Sequence, residues 1–508
     1  MQRETPYLEP EDFPKVPFVT DTLSTRFIRE NKVVPLDLSQ NILKVVMANP
    51  RDRDVIDAIK IAAATNNILV YAGDAKSIDD YIEKFYGEET QDINKLIENI
   101  EDNSLQIMRG EDEDVGRLQD MASEAPIIRL VNVIITRAVE SRASDIHIEP
   151  FADELRVRYR IDGVLHDIEI IPKKLQAAIF SRIKIMAKLN IAERRLPQDG
   201  RIMLKVGGAE IDIRVSSIPV LYGESIVMRL LNKEGILIDM NQLGFPDDTL
   251  KLFNNIISQP NGIILVTGPT GSGKSTTLYA ALDKINSADK KIITVEDPVE
   301  YQLKGINQIQ VKPQIGLDFP NILRHIVRQD PDVIMIGEIR DLETAEIAIQ
   351  SSLTGHVVFS TLHTNDAPSA LTRLLDIGVQ NYLLAATIRG ILAQRLVRVN
   401  CLQCREIDAM PTETERANKL NWQNDVTLYK GKGCEKCAYT GFYGRTGIYE
   451  FLQVDSSIER LITKNADVNQ IRDKARQNGM RTLLEDGLLK VKAGITTINE
   501  VYRVTQEI

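Results

Sequence analysis

The run Gly268-Pro269-Thr270-Gly271-Ser272-Gly273-Lys274-Ser275 satisfies G-x-x-x-x-G-K-[ST] at every position, and Thr276 follows it. This residue set suits phosphate chemistry. Glycines let successive backbone N–H groups turn inward around an anion, and a helix that begins at the loop adds positive potential from its N-terminus. Lys274 is long enough to reach β and γ phosphates, and the Ser275 hydroxyl suits Mg²⁺. The flanks agree with this reading, since the apolar strand GIILVT precedes the loop and a helix opening STTLYAAL follows it. ATP with Mg²⁺ is the expected pair.

Phosphoryl transfer also needs carboxylates near the metal and the attacking water. Asp332-Val333-Ile334-Met335-Ile336 reads as a buried strand ending in Gly337-Glu338, where many P-loop enzymes carry Asp-Glu. Glu338 is therefore expected nearest the Mg²⁺ or its water shell, and Asp341 suits a helix cap. Another strand runs into Glu296-Asp297-Pro298-Val299-Glu300-Tyr301. Pro298 stops it, so its acids lie past the carboxyl end of the strand, where ligands of parallel sheets bind. Glu296 is the candidate for orienting or deprotonating the attacking water, whereas Asp297 and Glu300 equally suit a polar loop with a helix cap. His356 and His363 bracket a further strand. His363, at its exit, is placed to sense a γ-phosphate, with a core or interface role as the alternative; His356, at its entry, suits the core role.

All four cysteines stand in two C-x-x-C pairs, Cys401 with Cys404 and Cys434 with Cys437, 29 residues apart. Two such knuckles close a tetrahedral Cys₄ zinc site, and no position is left open for catalysis. Structural Zn²⁺ is the reading taken; free thiols or a redox pair are the alternatives.

These groups need a rigid edge to stand on. From about Asn241 onward, apolar runs (Gly262 to Thr267, Lys291 to Glu296, Asp332 to Ile336, His356 to Thr361) alternate with helices, which implies a largely parallel sheet. Ahead of it, Ile127, Ile128, Val131, Ile134, Ile135, Ala138 and Val139 recur at helical spacing. In the next strand Leu155, Val157, Tyr159 and Ile161 alternate with Arg156, Arg158 and Arg160 before an Asp162-Gly163 turn. A mixed α+β unit of about 110 residues follows from this pattern. A smaller α/β unit is expected between Asp21 and Gly87, after a proline-rich start that should contribute no core. Residues 87 to 125 hold twelve carboxylates against three basic residues and read as a solvated linker.

With 508 residues, 43% of them hydrophobic, the chain has room for two to four folded domains. Its net charge of −10, from 62 Lys plus Arg against 72 Asp plus Glu, disfavours a protein that coats nucleic acid. No stretch approaches the roughly 18 to 20 apolar residues of a membrane helix, and the start lacks a signal-peptide core, so a cytoplasmic location is expected.

In chain order, SDIHIEP (Ser144 to Pro150), RLPQDGRI (Arg195 to Ile202), the GPTGSGKST loop, ITVEDPVEY, IGEIRD and LTGHVVFSTLHTNDA all stand intact. Together they make the chain resemble the secretion ATPase superfamily of type II secretion and type IV pilus assembly motors over nearly its whole length. The resemblance implies an α/β protein with a RecA-like P-loop motor domain at 236–508, including a Cys₄ subdomain at about 397–440. It further implies a PAS-like α+β domain at 124–235, an acidic linker at 88–123, a small α/β partner-docking domain at 21–87 and an extended N-terminus at 1–20. Nucleotide-facing arginines would map onto Arg214 and Arg229, and onto Arg324, Arg328, Arg340 and Arg445.

By the same resemblance the chain is a cytoplasmic ATP hydrolase, a homo-oligomer that forms a hexamer and lies peripheral to the inner membrane. Its partners would be a membrane-anchored secretion protein, bound by the N-terminal domain, and an inner-membrane platform protein. The cysteine insertion and the additional N-terminal unit, which retraction motors lack, imply an assembly-direction motor, and the length with a single small N-terminal unit favours type II secretion, with pseudopilus assembly and protein export as the work done. Type IV pilus extension is the alternative. A nucleic-acid translocating ATPase is a third class, set aside on charge and on the lack of a basic-aromatic stripe, so no nucleic acid is expected as a partner.

Overall fold

The structure, a computed structural model, describes residues 6–14, 23, 27–28, 31–39, 42–62, 67–86, 115–206, 209–232, 238–408 and 427–505. The chain divides into two compact units, Met1–Glu234 and Gly235–Ile508. Among the described residues, no helix is long and apolar enough to cross a membrane.

The first unit contains two sheets. In the smaller, β1 (Val33–Ser39) pairs antiparallel with β2 (Ile42–Met47), which pairs parallel with β3 (Ile68–Ala72). Helices α1 (Arg53–Ala62) and α2 (Ala75–Tyr86) complete it, and Val33, Val45, Ile59 and Ile78 form its centre. The expectation of no core at the proline-rich start is corrected here. Phe13 is only 7% exposed and packs edge-on to Tyr81 at 5.5 Å, while the Tyr81 hydroxyl donates to Pro14 O at 2.9 Å. Leu8 N donates to Ala72 O, and Ala72 N donates to Pro6 O, both at 2.8 Å. Proline lacks a donor but keeps its carbonyl, so the segment can still satisfy the free edge of β3.

Most of the expected acidic linker lies outside the described residues, but its last part is α3 (Val115–Ala122), with Leu118 and Ala122 buried. Leu118, Met121 and Ala122 sit at the i, i+3, i+4 spacing of an amphipathic helix, which the surrounding charge obscures in a reading of composition. After α4 (Ala125–Glu140) come β4 (Ala143–Pro150), β5 (Glu154–Ile161), β6 (Val164–Pro172), α5 (Gln176–Met186), β7 (Gln198–Val206), β8 (Ala209–Val220) and β9 (Gly223–Asn232). Their antiparallel sheet runs β6-β5-β4-β9-β8-β7. The alternation read in β5 is realised: its apolar residues are buried, while Arg156 and Arg158 pair with Glu154 and Glu149.

The second unit is built on β10 (Gly262–Thr267), β11 (Ile292–Glu296), β12 (Asn307–Gln310), β13 (Val333–Ile336), β14 (Val357–Leu362) and β15 (Ile388–Asn400). The order β12-β11-β13-β14-β10-β15 is parallel throughout, and β18 (Phe442–Gln453) closes the sheet antiparallel to β15. Between β15 and β18, the short strands β16 (Arg405–Ile407) and β17 (Tyr429–Gly431) form a separate ribbon. Helices cover both faces of the main sheet, so strands such as β10 and β14 are buried at every residue and read as unbroken apolar runs.

Candidate functional site

Strand order decides which chemistry meets. Because β11, β13, β14 and β10 are consecutive neighbours, their carboxyl ends present Glu296, Gly337-Glu338, His363 and the Gly268 loop side by side. The row is stitched together. Gly337 N donates to Val295 O at 2.7 Å, the Thr361 hydroxyl donates to Gly337 O at 2.6 Å, and Thr364 N donates to the Thr267 hydroxyl at 2.9 Å.

The loop leads into α6 (Lys274–Ile285) with Gly273 at φ +88°, a left-handed conformation that costs a side-chain-bearing residue dearly; a Cβ there would also lie 2.8 Å from Gln394 Nε2. Ser272 is 3% exposed, and its Oγ has no hydrogen-bond partner among the described residues. An orphaned buried hydroxyl inside a ring of backbone amides fits a phosphate that is to be bound there. Lys274 Nζ donates to Gly268 O at 2.8 Å and Pro269 O at 3.0 Å. Burial brings its ammonium down to about 8, against the pull of Glu338 and with help from Arg395. Ser275 is exposed at the start of α6, and its hydroxyl, like the Glu338 carboxylate, is a hard oxygen donor of the kind Mg²⁺ takes.

Glu338 pairs with Arg340 and lies 3.5 Å from His363 Nε2. Burial and the Lys274 charge hold the His363 imidazolium below the usual histidine range, which keeps the ring neutral near pH 7. The glycine ahead of Glu338 has a steric reason: a Cβ on Gly337 would lie 3.2 Å from Val295 O and 3.5 Å from Glu296 Cα. An aspartate there would crowd β11. Asp341 caps the next helix by accepting from Thr344 N at 2.8 Å.

Glu296, the last residue of β11, stands at the carboxyl end of the sheet with its carboxylate held inside the protein. It is 4% exposed and accepts from the Tyr279 hydroxyl, from Thr294 Oγ1 at 2.5 Å and from Gln308 Nε2 at 3.1 Å. His356 Nδ1 meets Ser351 O at 2.7 Å and the Thr354 hydroxyl at 3.1 Å, at the strand end away from the loop.

Of the candidate arginines, Arg340 alone is seen against the site's carboxylate. Arg324 pairs with Glu343, and Arg328 donates to Arg324 O at 2.8 Å and meets His325 Nδ1 at 2.8 Å. Arg445 is exposed on β18. In the first unit, Arg229 donates to Asp145 at 2.9 Å while its side chain stays 61% exposed, and Arg214 sits opposite it on β8.

Two residues that sequence reasoning missed lie in the middle of β15. Gln394 accepts from Thr277 of α6 at 2.8 Å, and buried Arg395 donates to Asn365 O and Oδ1, both at 3.1 Å, with Nη1 3.2 Å from where a Cβ of Gly268 would be. The available signal was two adjacent polar residues inside the apolar run Ile391 to Val397.

The four cysteines converge where β15 ends and β18 begins, with Cys401 N donating to Gly441 O at 2.9 Å. All four Sγ atoms lie within 4.8 Å of one another, and three pairs measure 3.7, 3.8 and 3.9 Å. A tetrahedron with Zn–S bonds of about 2.3 Å has edges of about 3.8 Å. Gly433 N and Cys434 N donate to Cys404 and Cys437 sulfur at 3.3 and 3.2 Å, which suits thiolates. The donor set fits zinc.

The family description "Type II/IV secretion system protein" matches residues 120–503, and the description "MshEN domain" matches residues 3–92. The chain is similar to the type II secretion system protein E of Xanthomonas campestris pv. campestris, 53% identical over 98% of this chain and 86% of that protein. It is also similar to the type IV pilus assembly ATPase PilB of Myxococcus xanthus, 42% identical over 98% of this chain and 89% of that one. Among solved structures, the Legionella pneumophila ATPase DotB superposes with a TM-score of 0.55 at 21% identity, covering 74% of this chain and 95% of that chain. That likeness speaks for the fold.

Proposed function

The chain belongs to the type II/IV secretion system protein family and is an ATP-hydrolysing member of it, and from that premise we propose that it powers pseudopilus assembly and protein export through a type II secretion system. The observation that carries this reading is the edge formed by the Gly268 loop, Glu338 and His363, in a chain 53% identical along nearly its whole length to a type II secretion system protein E. A second reading, type IV pilus extension, is favoured by the 42% identity to PilB over the same span.

In the proposed reaction, residues Gly268 to Thr276 cradle the triphosphate, and Lys274 exchanges its loop carbonyls for the β and γ oxygens. Ser275 and Glu338 would hold Mg²⁺, which supplies charge stabilisation on the phosphate oxygens. Glu296 orients the attacking water, and neutral His363 reports the γ-phosphate through a hydrogen bond. Arg340, released from Glu338, joins Arg324, Arg328 and Arg445 as cationic groups for the nucleotide or for a neighbouring subunit. Arg214 and Arg229 act on nucleotide from the first unit, and a hexameric ring fixes that geometry. Cys401, Cys404, Cys434 and Cys437 would hold one structural Zn²⁺, which would tie together the two ends of the excursion between β15 and β18. The working location is the cytoplasmic face of the inner membrane, reached through a membrane-anchored secretion protein at the N-terminal domain and through the platform protein.

The test is genetic. Deleting the gene should abolish export of extracellular enzymes and leave surface pili intact, with restoration by the wild-type gene and none by a Lys274→Ala copy. Normal export with lost pili would select the second reading.

A further inference from the structure

The Glu296 carboxylate is the hub of a buried network in which, among the described residues, its side-chain donors are neutral. On one side stands Tyr279 of α6, five residues beyond Lys274, whose hydroxyl donates to Oε2. On the other, Thr294 Oγ1 and Gln308 Nε2 both reach Oε1, at 2.5 and 3.1 Å. The amide of Gln308 is oriented unambiguously, because its Oε1 accepts from Leu303 N at 2.7 Å while Nε2 also donates to Tyr301 O at 3.1 Å. Tyr301 in turn packs edge-on against Tyr279 at 4.5 Å. The donors therefore come from three elements: the phosphate-loop helix, β11 itself and β12.

A carboxylate offers about four acceptor positions. Three are taken, two on Oε1 and one on Oε2. We propose that Tyr279, Thr294 and Gln308 are positioning residues for hydrolysis, which hold Glu296 so that a single acceptor position, on Oε2, is left for the attacking water. This rests on the reading of Glu296 given above. In the step so arranged, the water oxygen forms the new bond to the γ phosphorus and the bridging P–O bond breaks with its electron pair left on ADP. The water's proton passes to Glu296. Tyr279 joins this arrangement to nucleotide occupancy, since the helix that carries it begins at Lys274.

The experiment measures Mg²⁺-dependent ATP hydrolysis by the full chain for wild type, Tyr279→Phe, Thr294→Val and Thr294→Ser, with kcat and KM determined across pH 5 to 9. Among the described residues, the titratable groups around Glu296 include Tyr279, Tyr301 and Glu300, with Asp297 next to it in the chain and Asp283 acting on Tyr301. Each donor removed should lower kcat about tenfold with KM for ATP nearly unchanged, the size of one hydrogen bond to a charged group. It should also move the acid limb of the kcat profile to higher pH, because a carboxylate deprived of a donor is protonated more easily. Thr294→Ser, which keeps the hydroxyl, should behave as wild type. A folding defect alone would lower the active fraction without moving the limb. Equal rates for Thr294→Ser and Thr294→Val, or an unmoved limb in Tyr279→Phe at wild-type kcat, overturn the proposal. Glu296→Gln separates it from its premise: if that variant hydrolyses ATP normally, the role of Glu296 itself falls, whereas an inactive Glu296→Gln beside an unaffected Tyr279→Phe removes only the positioning residues.

Discussion

Glu450 on β18 is 5% exposed, yet its Oε1 accepts from Ala367 N at 2.9 Å, at the first residue of α7 (Ala367–Asp376) directly after the His363 loop. Burial pushes its carboxyl from 4.5 up to about 7, with the charge of Asp366 adding and the Ala367 and Leu483 amides and Arg472 opposing. A carboxyl raised in the folded state stabilises the fold fully below its unfolded value of 4.5, and that contribution is lost as pH rises through about 7. At about 1.4 kcal/mol per tenfold, the loss amounts to about 3 kcal/mol. Glu450→Gln keeps the acceptor for Ala367 N and removes the titration. Urea midpoints of the motor unit, followed by circular dichroism on the full chain, should show wild type losing stability between pH 5 and pH 8. The variant should lose much less over that range, so that its advantage is confined to the higher pH. An equal offset between the two proteins at both pH values would refute the reasoning.

Other expectations follow from other corners of the molecule. Purified protein should carry about one zinc per chain by elemental analysis, and Cys401→Ser should release it while leaving nucleotide affinity within about twofold; full zinc retention after loss of two cysteines contradicts the site. Arg229 is mostly exposed, but its partner Asp145 is buried and would keep Ser144 Oγ at 2.7 Å and Arg160 at 3.7 Å, so Arg229→Ala with Arg214→Ala should cost about 1 to 2 kcal/mol of stability and leave the fold intact. ATPase rate per chain should rise with protein concentration in wild type and fall sharply in that double variant. A flat dependence with an undiminished variant would remove both the ring and these arginines from catalysis.

The phosphate loop was legible because its chemistry constrains backbone as well as side chains: the glycines, the lysine and the flanking strand are all local in sequence. Strand β10 was read at the residues it occupies, Gly262 to Thr267. What escaped is what depends on distant partners. β18 finds its place only by pairing with β15, and Gln394 and Arg395 acquire meaning only because β15 runs beneath Gly268 and Gly273. Phe13 is buried through Tyr81, a residue 68 positions away. Glu296 was singled out from its place after a strand, but Tyr279 and Gln308, which decide how it is held, carry no motif of their own.

In the proposed reaction Lys274 and Glu338 serve one ATP-hydrolysing centre in different ways: the lysine binds and stabilises phosphate charge, and the carboxylate acts in the chemical step. Single-turnover hydrolysis with Mg²⁺, beside equilibrium nucleotide binding, tests it on wild type, Lys274→Ala and Glu338→Gln. Near-complete loss of turnover is expected in Lys274→Ala, and in Glu338→Gln a chemical step slowed by about a hundredfold or more with nucleotide affinity preserved. Wild-type single-turnover rates in Glu338→Gln would contradict it.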